Sequence, residues 1–564
     1  MRPAAHPVHR AAHSRVESPS MGRRFAAYFG CLLMLSSSGS FAAAGAAGGA
    51  PALSSEQTAS PAPQPPGASA PAGGAPASDA VATSNSPAPS PSYGLAGNSS
   101  LLGSLPDLSG PAYSYVTRTD QMQIGRMITK EIRDANLLIE DPEITDYLQT
   151  LGLKLASQAH DDQQTFTYHC MRGEINAFAT FGGNIFVFSN LILATKNEAE
   201  LASVMAHETG HVVQRHMERE LQARSRMSIA STAALLAGIL MAAAARGNNG
   251  EGMEGALAMS QAIAMQQQIN YTRTQEIEAD YIGIQLLSGA GYDPYEMAAF
   301  FEELQRAYGM EMAEIPALLQ DHPVTVERIA AARARAAELP RPHSSVESQS
   351  YPFIRERVRV LAAPPDASIQ QYYATLSRHR ALTAAERYGQ ALIQMQNGSA
   401  ATAVPTLRAL QTQYPDLILL YSALGEALEA AGHHQESLAL FADSERLFPR
   451  NAPLTIHYAE TLMRAGQPQQ AHQLLLDLFN NVEPTPSQIF LTAQAANAAD
   501  DSGDAYYYMC EYNLENGDLA LANQELELAL SSPKLTNVQR ERFRARLLQV
   551  REWMREQQQS RRGG

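Results

Sequence analysis

The sequence predicts a mainly α-helical protein, in which an α+β domain with a small sheet is followed by a helical solenoid. Two observations lead to this fold class. In the first half of the chain, amphipathic helical patterns alternate with one short, apolar, strand-like run at residues 184–188. In the last third the helical patterns repeat, and Gly398, Gly432 and Gly466 follow one another at intervals of 34 residues. Such a period is typical of stacked helix-turn-helix units.

Chain length indicates how many units the protein forms, and net charge indicates which kind of partner it does not bind. At 564 residues the chain is too long for a single core and is expected to form several units. Its formal net charge is −15 at pH 7. Because binding to a phosphate backbone needs clustered Lys and Arg, no nucleic acid is expected as a partner.

The N-terminal residues have the layout of an export signal. Two arginines precede an apolar run at residues 25–35, which is too short to span a bilayer. Ala42 and Ala44 fit the small-x-small rule for signal cleavage. We therefore interpret residues 1–44 as a cleavable signal peptide with an upstream extension, and Met21 is an alternative start of the chain.

Composition and pattern divide the rest of the chain into four parts. Residues 45–112 are rich in Pro, Ala and Ser and are predicted to be a disordered tether, because they contain too few large apolar residues for a core. Residues 113–340 hold every catalytic candidate and are predicted to be the first folded domain. A proline-containing connector follows at residues 341–382, and residues 383–556 are predicted to be the repeat domain.

The repeat domain resembles tetratricopeptide repeats. In its best unit, Gly425 and Phe441 put a small and a large residue where stacked helices need them. The spacing appears broken after Gly466, where Pro484 and Pro486 intervene, so we predict three regular repeats and one or two degenerate ones. Such stacks present a concave surface to extended peptides or partner helices, which predicts protein partners.

An uncharged stretch at residues 227–245 allows two interpretations. Its length would permit a membrane span, but it is rich in Ala rather than Leu and contains hydroxyl residues. We interpret it as part of a helical hairpin packed on the first domain, with a membrane anchor as the alternative.

Cysteine content indicates that stability comes from ordinary cores. After signal removal only Cys170 and Cys510 remain, in different predicted domains. The sequence leaves open whether these two cysteines pair, since the distance between them cannot be read from spacing.

His207, Glu208 and His211 form a His-Glu-x-x-His motif inside a helical pattern. Because four residues make just over one helical turn, the two histidines project from one face and can share a metal ion. Glu208 is then placed to act as a general base on a water molecule. These residue types in this spacing predict zinc-dependent hydrolysis of peptide bonds, and the alternative is a surface helix with coincidental spacing.

A catalytic zinc site needs a third protein ligand. In one class of zinc peptidases the motif continues to a third histidine, as His-Glu-x-x-His-x-x-Gly-x-x-His. This sequence does not match that pattern, because His216 lies one position before the third histidine and Gln214 stands in place of the glycine. The sequence does match the class of zinc peptidases in which the third ligand is a glutamate on a later helix. Glu276 begins a second helical pattern, and Asp280 lies about one turn later on the same face. We expect Glu276 to complete the ligand set and Asp280 to accept a hydrogen bond from a liganding imidazole.

These motifs resemble the peptidase family that includes HtpX and the CAAX prenyl proteases. The resemblance rests on residues 201–216, on the Glu-x-x-Ala-Asp-x-x-Gly run that ends at Gly283, and on Asn176-Ala177-Phe178 with Gly182-Gly183. With its export signal and helical repeats, the sequence is similar to the bacterial periplasmic β-barrel assembly-enhancing proteases over about residues 113–555. That family joins a mainly helical, zincin-like metalloprotease domain to a tetratricopeptide-repeat solenoid.

The resemblance implies a role for each matching residue. The ligands of one Zn²⁺ per chain fall on His207, His211 and Glu276, and the catalytic glutamate falls on Glu208. The segment at residues 176–187 would be the edge strand of the active site, which binds an extended substrate as an added strand. The substrate-binding residues implied there are Asn176, Ala177, Gly182 and Gly183, and the alternative for the two glycines is a hairpin turn.

A further family motif begins with His322-Pro323 and runs to Ile329. In the family, this histidine can occupy the open position of the zinc ion. A structural zinc ion has four protein ligands, whereas a catalytic one keeps a position for water. With His322 as a fourth ligand, the site would have no position for that water, and the enzyme would be latent. The alternative is an ordinary surface histidine at a helix start.

The function implied by the resemblance is a periplasmic zinc metalloendopeptidase in quality control of outer-membrane β-barrel proteins. Its expected partners are unfolded or stalled outer-membrane proteins and the barrel-assembly machinery, the latter through the repeat domain. One alternative is a zinc-stabilised scaffold or chaperone without significant proteolysis. Another is a membrane-integrated protease that uses residues 227–245, and a weaker form of it is peripheral membrane contact.

Overall fold

The computed structural model describes residues 117–161, 163–223, 273–308, 316–342, 348–364 and 367–563. The predicted signal peptide, the predicted tether and the uncharged stretch at residues 227–245 lie outside these residues. Within them, no helix is both long and apolar enough to cross a membrane.

Helices make up most of the described chain, with one small sheet, so the predicted fold class is confirmed. The elements before residue 340 are α1 (Arg118–Asp134), α2 (Pro142–Ala156), β1 (Thr167–Met171), β2 (Ala177–Thr180), β3 (Asn184–Phe188), α3 (Ser189–Ala194), α4 (Glu198–Val213), α5 (His216–Ala223), α6 (Arg273–Gly289), α7 (Glu296–Tyr308), α8 (Ala317–Asp321) and α9 (Val326–Ala337).

Local sequence explains where the helices around the site begin. Asp141 accepts a hydrogen bond from the Ile144 N–H at the start of α2, and Pro142 occupies the first helical position. Asn197 caps α4 in the same way by accepting from the Glu200 N–H. These caps satisfy backbone donors that a helix start leaves unpaired, so they fix the register of both helices.

The sheet has three strands in the order β1-β3-β2. The apolar run at residues 184–188 is its central strand, parallel to β1 and antiparallel to β2. A tight turn joins β2 to β3, and Gly182 and Gly183 take left-handed φ values of 72° and 74° within it. The two glycines therefore occupy a hairpin connection. Among the described residues β2 is an edge strand of this sheet, whereas residues 184–187, which were also expected at the edge, belong to the central strand β3.

Helices continue without a strand from residue 351 to the end of the described chain. They are α10 (Tyr351–Ala362), α11 (Ser368–His379), α12 (Ala384–Gln396), α13 (Ala400–Gln413), α14 (Ile418–Ala430), α15 (His434–Leu447), α16 (Ala452–Arg464), α17 (Pro468–Phe479), α18 (Pro486–Ala498), α19 (Ser502–Glu515), α20 (Leu519–Ser531) and α21 (Asn537–Gly563). The predicted connector thus contains α10 and α11, and the predicted domain boundaries stay predictions.

The 34-residue period has a physical cause in the turns between paired helices. Gly398, Gly432 and Gly466 all have left-handed φ, and the N–H groups at each turn bond back to the carbonyls of the preceding helix. Asp500, which lies 34 residues after Gly466, has φ of 62° and the same pair of backbone bonds. The expectation that the spacing breaks after Gly466 was therefore wrong, because the turn persists while its residue type changes to one that tolerates this conformation.

One hydrophobic core continues from the sheet into the repeats. Its buried members extend from Ile139 to Leu428 and include Tyr351, Phe353 and Tyr388 of α10 and α12. Within the repeats, a Cβ added to Gly425 would lie 2.3 Å from the Phe441 ring, which confirms the small-against-large packing of that unit. Burial of this shared apolar surface holds the first repeats against the residues that carry the site.

The two cysteines whose pairing the sequence left undecided do not form a disulfide bond. Cys170 on β1 and Cys510 on α19 are both buried free thiols. Burial raises the pKa of each thiol to about 12, so neither is reactive at neutral pH.

Candidate active site

Two helices approach closely to build the candidate site. A Cβ added to Gly210 on α4 would lie 2.8 Å from the Ala279 carbonyl of α6, and one added to Gly283 on α6 would lie 3.0 Å from the Cα of His207. Both positions therefore require glycine, because any larger residue would push the helices apart. This contact places the His-Glu-x-x-His motif beside Glu276.

The structure brings together the three predicted ligands and the predicted latch. His207, His211, Glu276 and His322 are all buried, and one potential ligand atom from each lies within 4.8 Å of the others. The His207 and His211 Nε2 atoms are 3.1 Å apart, and these nitrogens lie 3.6 and 3.5 Å from oxygens of Glu276. His322 Nδ1 is 3.3 Å from His207 Nε2 and 3.0 Å from Glu276 Oε1.

These separations fit a metal ion. With ligand bonds of zinc length, the edge of a tetrahedral site is about 3.3 Å, which is close to the distances between the donor atoms. Imidazole nitrogens with a carboxylate oxygen also form the kind of donor set that a transition metal prefers. The residues present therefore fit a single ion held by two helices and the segment after α8.

Asp280 lies beside the first histidine of the motif. Its Oδ1 lies 2.9 Å from His207 Nδ1, the ring nitrogen that faces away from the ligand cluster. Arg328 of α9 donates to both oxygens of Asp280 at 2.8 Å and also lies 2.8 Å from Glu276 Oε2. Because Arg328 is only 1% exposed, its charge is balanced mainly by these two carboxylates.

The charges in the cluster alter the protonation of its members. Burial alone would raise the pKa of Glu276, but His322 and His207 outweigh it and hold that pKa well below its usual range. Burial would lower the pKa of His207, but hydrogen bonds to Asp280 and Glu276 outweigh it and raise that pKa. Burial and the neighbouring His207 hold the pKa of His211 well below its usual range. Glu276 is therefore ionised and His211 neutral, which are the forms that bind metals, whereas His207 carries a proton that a bound metal ion would displace.

Glu208 is fully buried, and neither oxygen of its carboxylate accepts a side-chain hydrogen bond. It lies beside the backbone N–H of Ala179 on the edge strand β2, and His322 Nε2 is 3.5 Å from its Oε1. Burial raises the pKa of Glu208. A buried carboxylate whose pKa is raised in this way accepts a proton more readily than an exposed glutamate does, as a general base requires.

The segment that carries His322 is tied to the start of the edge strand. The Leu318 N–H of α8 donates to the Ile175 carbonyl at 3.1 Å, and the Asn176 side chain donates to Asp321 at 2.9 Å. Asn176 is buried, and its side-chain oxygen accepts from the Ala177 N–H. In this structure the Asn176 side chain therefore connects the edge strand to the His322 segment.

Four polar residues at the site had no predicted role. His216, rejected as a ligand, lies 2.8 Å from His211 through their Nδ1 atoms and 3.0 Å from Glu278, which in turn accepts from Arg219. Arg328 lay within the quoted motif after His322, but its partners were not foreseen. The short sequence distance between His216 and the His-Glu-x-x-His motif was the one signal that could have indicated their pairing. The pairing itself depends on how α5 folds back on α4.

Replacing Gly210 by alanine tests the helix contact. We expect the added methyl group to destabilise the fold by about 1–3 kcal/mol and to weaken metal binding, because it displaces α6 with Glu276. Denaturant unfolding and metal titration measure the two effects. Ile277→Ala, at a 43% exposed position on α6, is the control and should change neither. Unchanged metal affinity in Gly210→Ala would contradict the proposed need for close approach.

A helix with two histidine ligands and a glutamate, packed against a second helix that supplies a carboxylate, defines a metallopeptidase of the gluzincin class. Residues 142–336 match peptidase family M48. The chain is 31% identical to the β-barrel assembly-enhancing protease of Escherichia coli K12 over 455 residues, which cover 79% of this chain and 91% of that protein. The chain belongs to the family of β-barrel assembly-enhancing proteases.

Further comparisons agree with this family. A putative β-barrel assembly-enhancing protease of Vibrio cholerae is 33% identical over 66% of this chain and 76% of its own length. The metalloprotease LoiP of Escherichia coli is 31% identical over 34% of this chain and 71% of its own length. Among solved structures, yeast Tom70 covers 65% of this chain and 91% of its own at 12% identity, with a TM-score of 0.26 that is too low to support any inference.

Proposed function

We propose that this chain is a zinc-dependent endopeptidase of the periplasm that acts on outer-membrane β-barrel proteins. The observation that carries the proposal is the buried cluster of His207, His211 and Glu276 beside the free carboxylate of Glu208. Relatives named for β-barrel assembly support unfolded or stalled barrel proteins as the substrates. The enzyme would either degrade these proteins or promote their assembly.

Each site residue has one role in this proposal. A zinc ion bound by His207, His211 and Glu276 would supply Lewis-acid polarisation of the scissile carbonyl. Glu208 would take a proton from the attacking water and deliver it to the leaving amine. Asp280 would hold the tautomer and orientation of the His207 ring, as carboxylates commonly do beside liganding histidines.

We propose that the substrate lies along β2. This strand pairs with β3 on one side only among the described residues, and its Ala179 N–H lies beside Glu208. An extended peptide added at this edge would present its carbonyl to the site through main-chain hydrogen bonds. Ala177 would contribute backbone groups, and Gly182 and Gly183 would set the strand's end by closing the turn to β3.

His322 is proposed as a latch that keeps the enzyme latent. Its Nδ1 lies among the ligand atoms, and its Nε2 lies 3.5 Å from Glu208, so the ring fills the space between base and ligands. Since α8 is bonded to Ile175 and Asn176, withdrawal of His322 would also free the start of β2. A substrate strand would thus compete with the latch for the same region.

Replacing His322 by alanine should raise proteolysis. A closed form favoured by about 1.4 kcal/mol would leave about one-tenth of the enzyme open, so its removal would increase the initial rate about tenfold. The assay follows cleavage of an unfolded outer-membrane barrel protein by the zinc-loaded chain. The control is His379→Ala, at an exposed position on α11, which should not change the rate. Equal or lower activity in His322→Ala, with zinc retained, would contradict latency.

The same assay tests the proposed activity. Cleavage by the zinc-loaded chain that a chelator abolishes, and that added Zn²⁺ restores, would support the endopeptidase. One observation favours the alternative of a scaffold or chaperone, because four protein ligands form a closed site of the structural kind. Zinc binding without cleavage in both the unaltered chain and His322→Ala would favour that scaffold.

We further propose that residues 113–340 form the protease domain and residues 383–556 a partner-binding repeat domain. Paired helices joined by repeated turns support a concave surface for a protein partner, and the barrel-assembly machinery is the proposed one. Crosslinking from the repeats in intact cells would test this partner. Recovery of the chain in the periplasmic fraction, with a new N-terminus near Ala44, would test export.

A further inference from the structure

A second cluster of metal-binding residue types lies in the repeats, on helices that carry none of the active-site residues. It consists of His472 on α17, Asp501 at the start of α19, and Asp504 within α19. One potential ligand atom from each lies within 4.8 Å of the others. The proposed catalysis does not involve this cluster.

The Nε2 atom of His472 points into the cluster and makes no hydrogen bond there. The residue is 6% exposed, and its Nε2 is buried and has no hydrogen-bond partner. This nitrogen lies 3.6 Å from Asp504 Oδ2, which is too long for a hydrogen bond. The separation is close to the edge of about 3.3 Å expected between two ligands of a tetrahedral zinc ion. A buried nitrogen left unpaired costs free energy that a bound ion would recover.

The two carboxylates are held in place by other groups. Asp504 Oδ1 accepts from Gln539 and Arg542 of α21, at 3.1 and 2.5 Å, which leaves Oδ2 turned toward His472. Asp501 Oδ1 caps α19 by accepting from the Asp504 N–H, and its Oδ2 accepts from Gln539. Each carboxylate oxygen has two lone pairs, so these bonds orient the carboxylates and still leave acceptor capacity for an ion.

Arg542 carries a positive charge that would repel a cation bound at this cluster. It bonds the oxygen of Asp504 that faces away from His472, and its side chain is 39% exposed, so solvent screens part of its repulsion. The cluster otherwise combines two carboxylates with one imidazole. This donor set matches the preference of zinc for nitrogen and carboxylate ligands.

We propose that His472, Asp501 and Asp504 bind a second Zn²⁺ ion, in addition to the one expected at the active site. The ion ties α17 to α19, and through Gln539 and Arg542 it connects both helices to α21. Its role is structural, since it joins α17, which belongs to one hydrophobic cluster, to α19 and α21, which share another. The stoichiometry of the protein is then two zinc ions per chain.

Zinc counting on the intact chain tests the second site. Titration calorimetry with Zn²⁺ alone should give two ions for the unaltered chain, one for His472→Ala, one for His207→Ala/His211→Ala, and none for the triple variant. His379→Ala, which removes an exposed histidine, should keep two. One ion in the unaltered chain, or two in His472→Ala, would overturn the proposal. Because the two sites are removed separately, failure of the active-site assignment is distinguishable from failure of this one.

A second variant covers the case in which His472→Ala unfolds. Asp501→Asn removes one charge but keeps a side-chain oxygen that can cap α19. In the His207→Ala/His211→Ala chain, Zn²⁺ should raise the midpoint of thermal unfolding of the repeats, and Asp501→Asn should remove that rise while circular dichroism stays unchanged. A rise that persists in Asp501→Asn with an unchanged zinc affinity would contradict a site at these residues.

Discussion

Replacing Glu208 by glutamine should reduce cleavage of an unfolded barrel protein by roughly 10²–10⁴-fold while leaving bound zinc in place. Glutamine keeps the size of the side chain but cannot accept a proton. Glu208 is fully buried, and no side chain donates a hydrogen bond to its oxygens, so the substitution removes mainly the attraction of its charge to His322 and His207. The variant therefore separates the chemistry of the base from the integrity of the ligand cluster.

The measurement compares initial rates and zinc content of the variant with those of the unaltered chain. Glu338→Gln, at an exposed position on the surface of the same predicted domain, is the control and should keep full activity. A Glu208→Gln protein that retains zinc and cleaves at the normal rate would show that another residue is the base. The double variant with His322→Ala should be slower than His322→Ala alone by the same factor of roughly 10²–10⁴, because opening the site does not replace the base.

Replacing Arg357 by alanine should destabilise the chain by about 3–5 kcal/mol, because it removes the buried cation that neutralises Asp141 and Glu143. Arg357 of α10 is buried and donates to both oxygens of Asp141 at 2.7 Å. It also lies 3.0 Å from Glu143, which lies 3.1 Å from His457 of α16. These charges connect the helix that precedes the sheet with the third helical pair of the repeats.

Denaturant unfolding of the intact chain measures this loss. Arg408→Ala is the matched control, since Arg408 pairs with Glu436 on the surface with both side chains about half exposed. Exposed pairs contribute about 0–1 kcal/mol, so the control should lie in that range. A loss below 1 kcal/mol for Arg357→Ala would show that solvent or local rearrangement compensates the carboxylates.

The same cluster predicts a pH dependence of stability. Burial would raise the pKa of Glu143, but Arg357 and His457 outweigh it and lower that pKa to about 2. A lowered carboxyl pKa stabilises the fold at pH above the ordinary value of about 4.5 and loses this effect as pH falls toward about 2. The stability difference between the unaltered chain and Glu143→Gln should therefore shrink over that range. A difference independent of pH would contradict the ionised pair.

His457 should act in the opposite direction. Burial would lower its pKa, but Glu143 and Glu426 outweigh it and hold the pKa well above its usual range. A raised histidine pKa gives stability that is complete below the ordinary value of about 6.5 and is lost as pH rises through the folded-state value. Together the two groups place the strongest contribution of the cluster between about pH 4.5 and 6.5.

The ligand set could be predicted from sequence because its members belong to two local patterns. The four-residue spacing of His207 and His211 is a property of any helix, and Asp280 follows Glu276 by the same spacing. The Arg328 contacts were not predictable in this way, since 48 residues separate it from Asp280 and only the packing of α9 on α6 joins them. The pairing of His216 with His211 likewise depends on how the chain turns after α4.

The repeats show the same division. The glycine period follows from a turn conformation that the residue type itself favours, so it is visible in the sequence. Asp500 adopts that conformation without glycine, and the fourth turn was therefore missed. His472 and Asp504 belong to different helices, so their approach to 3.6 Å carries no local signal.

The sequence by itself determined the mainly helical fold class, the repeat period and the helix-borne ligands, because each depends on backbone geometry over a few residues. Tertiary structure alone decided how α4 and α6 meet at Gly210 and Gly283, how His322 enters the ligand cluster, and how Arg357 joins α10 to the start of α2. These contacts join residues far apart in the chain. Their positions are set by burial of a shared apolar core and by compensation of buried charges, and neither is encoded in local spacing.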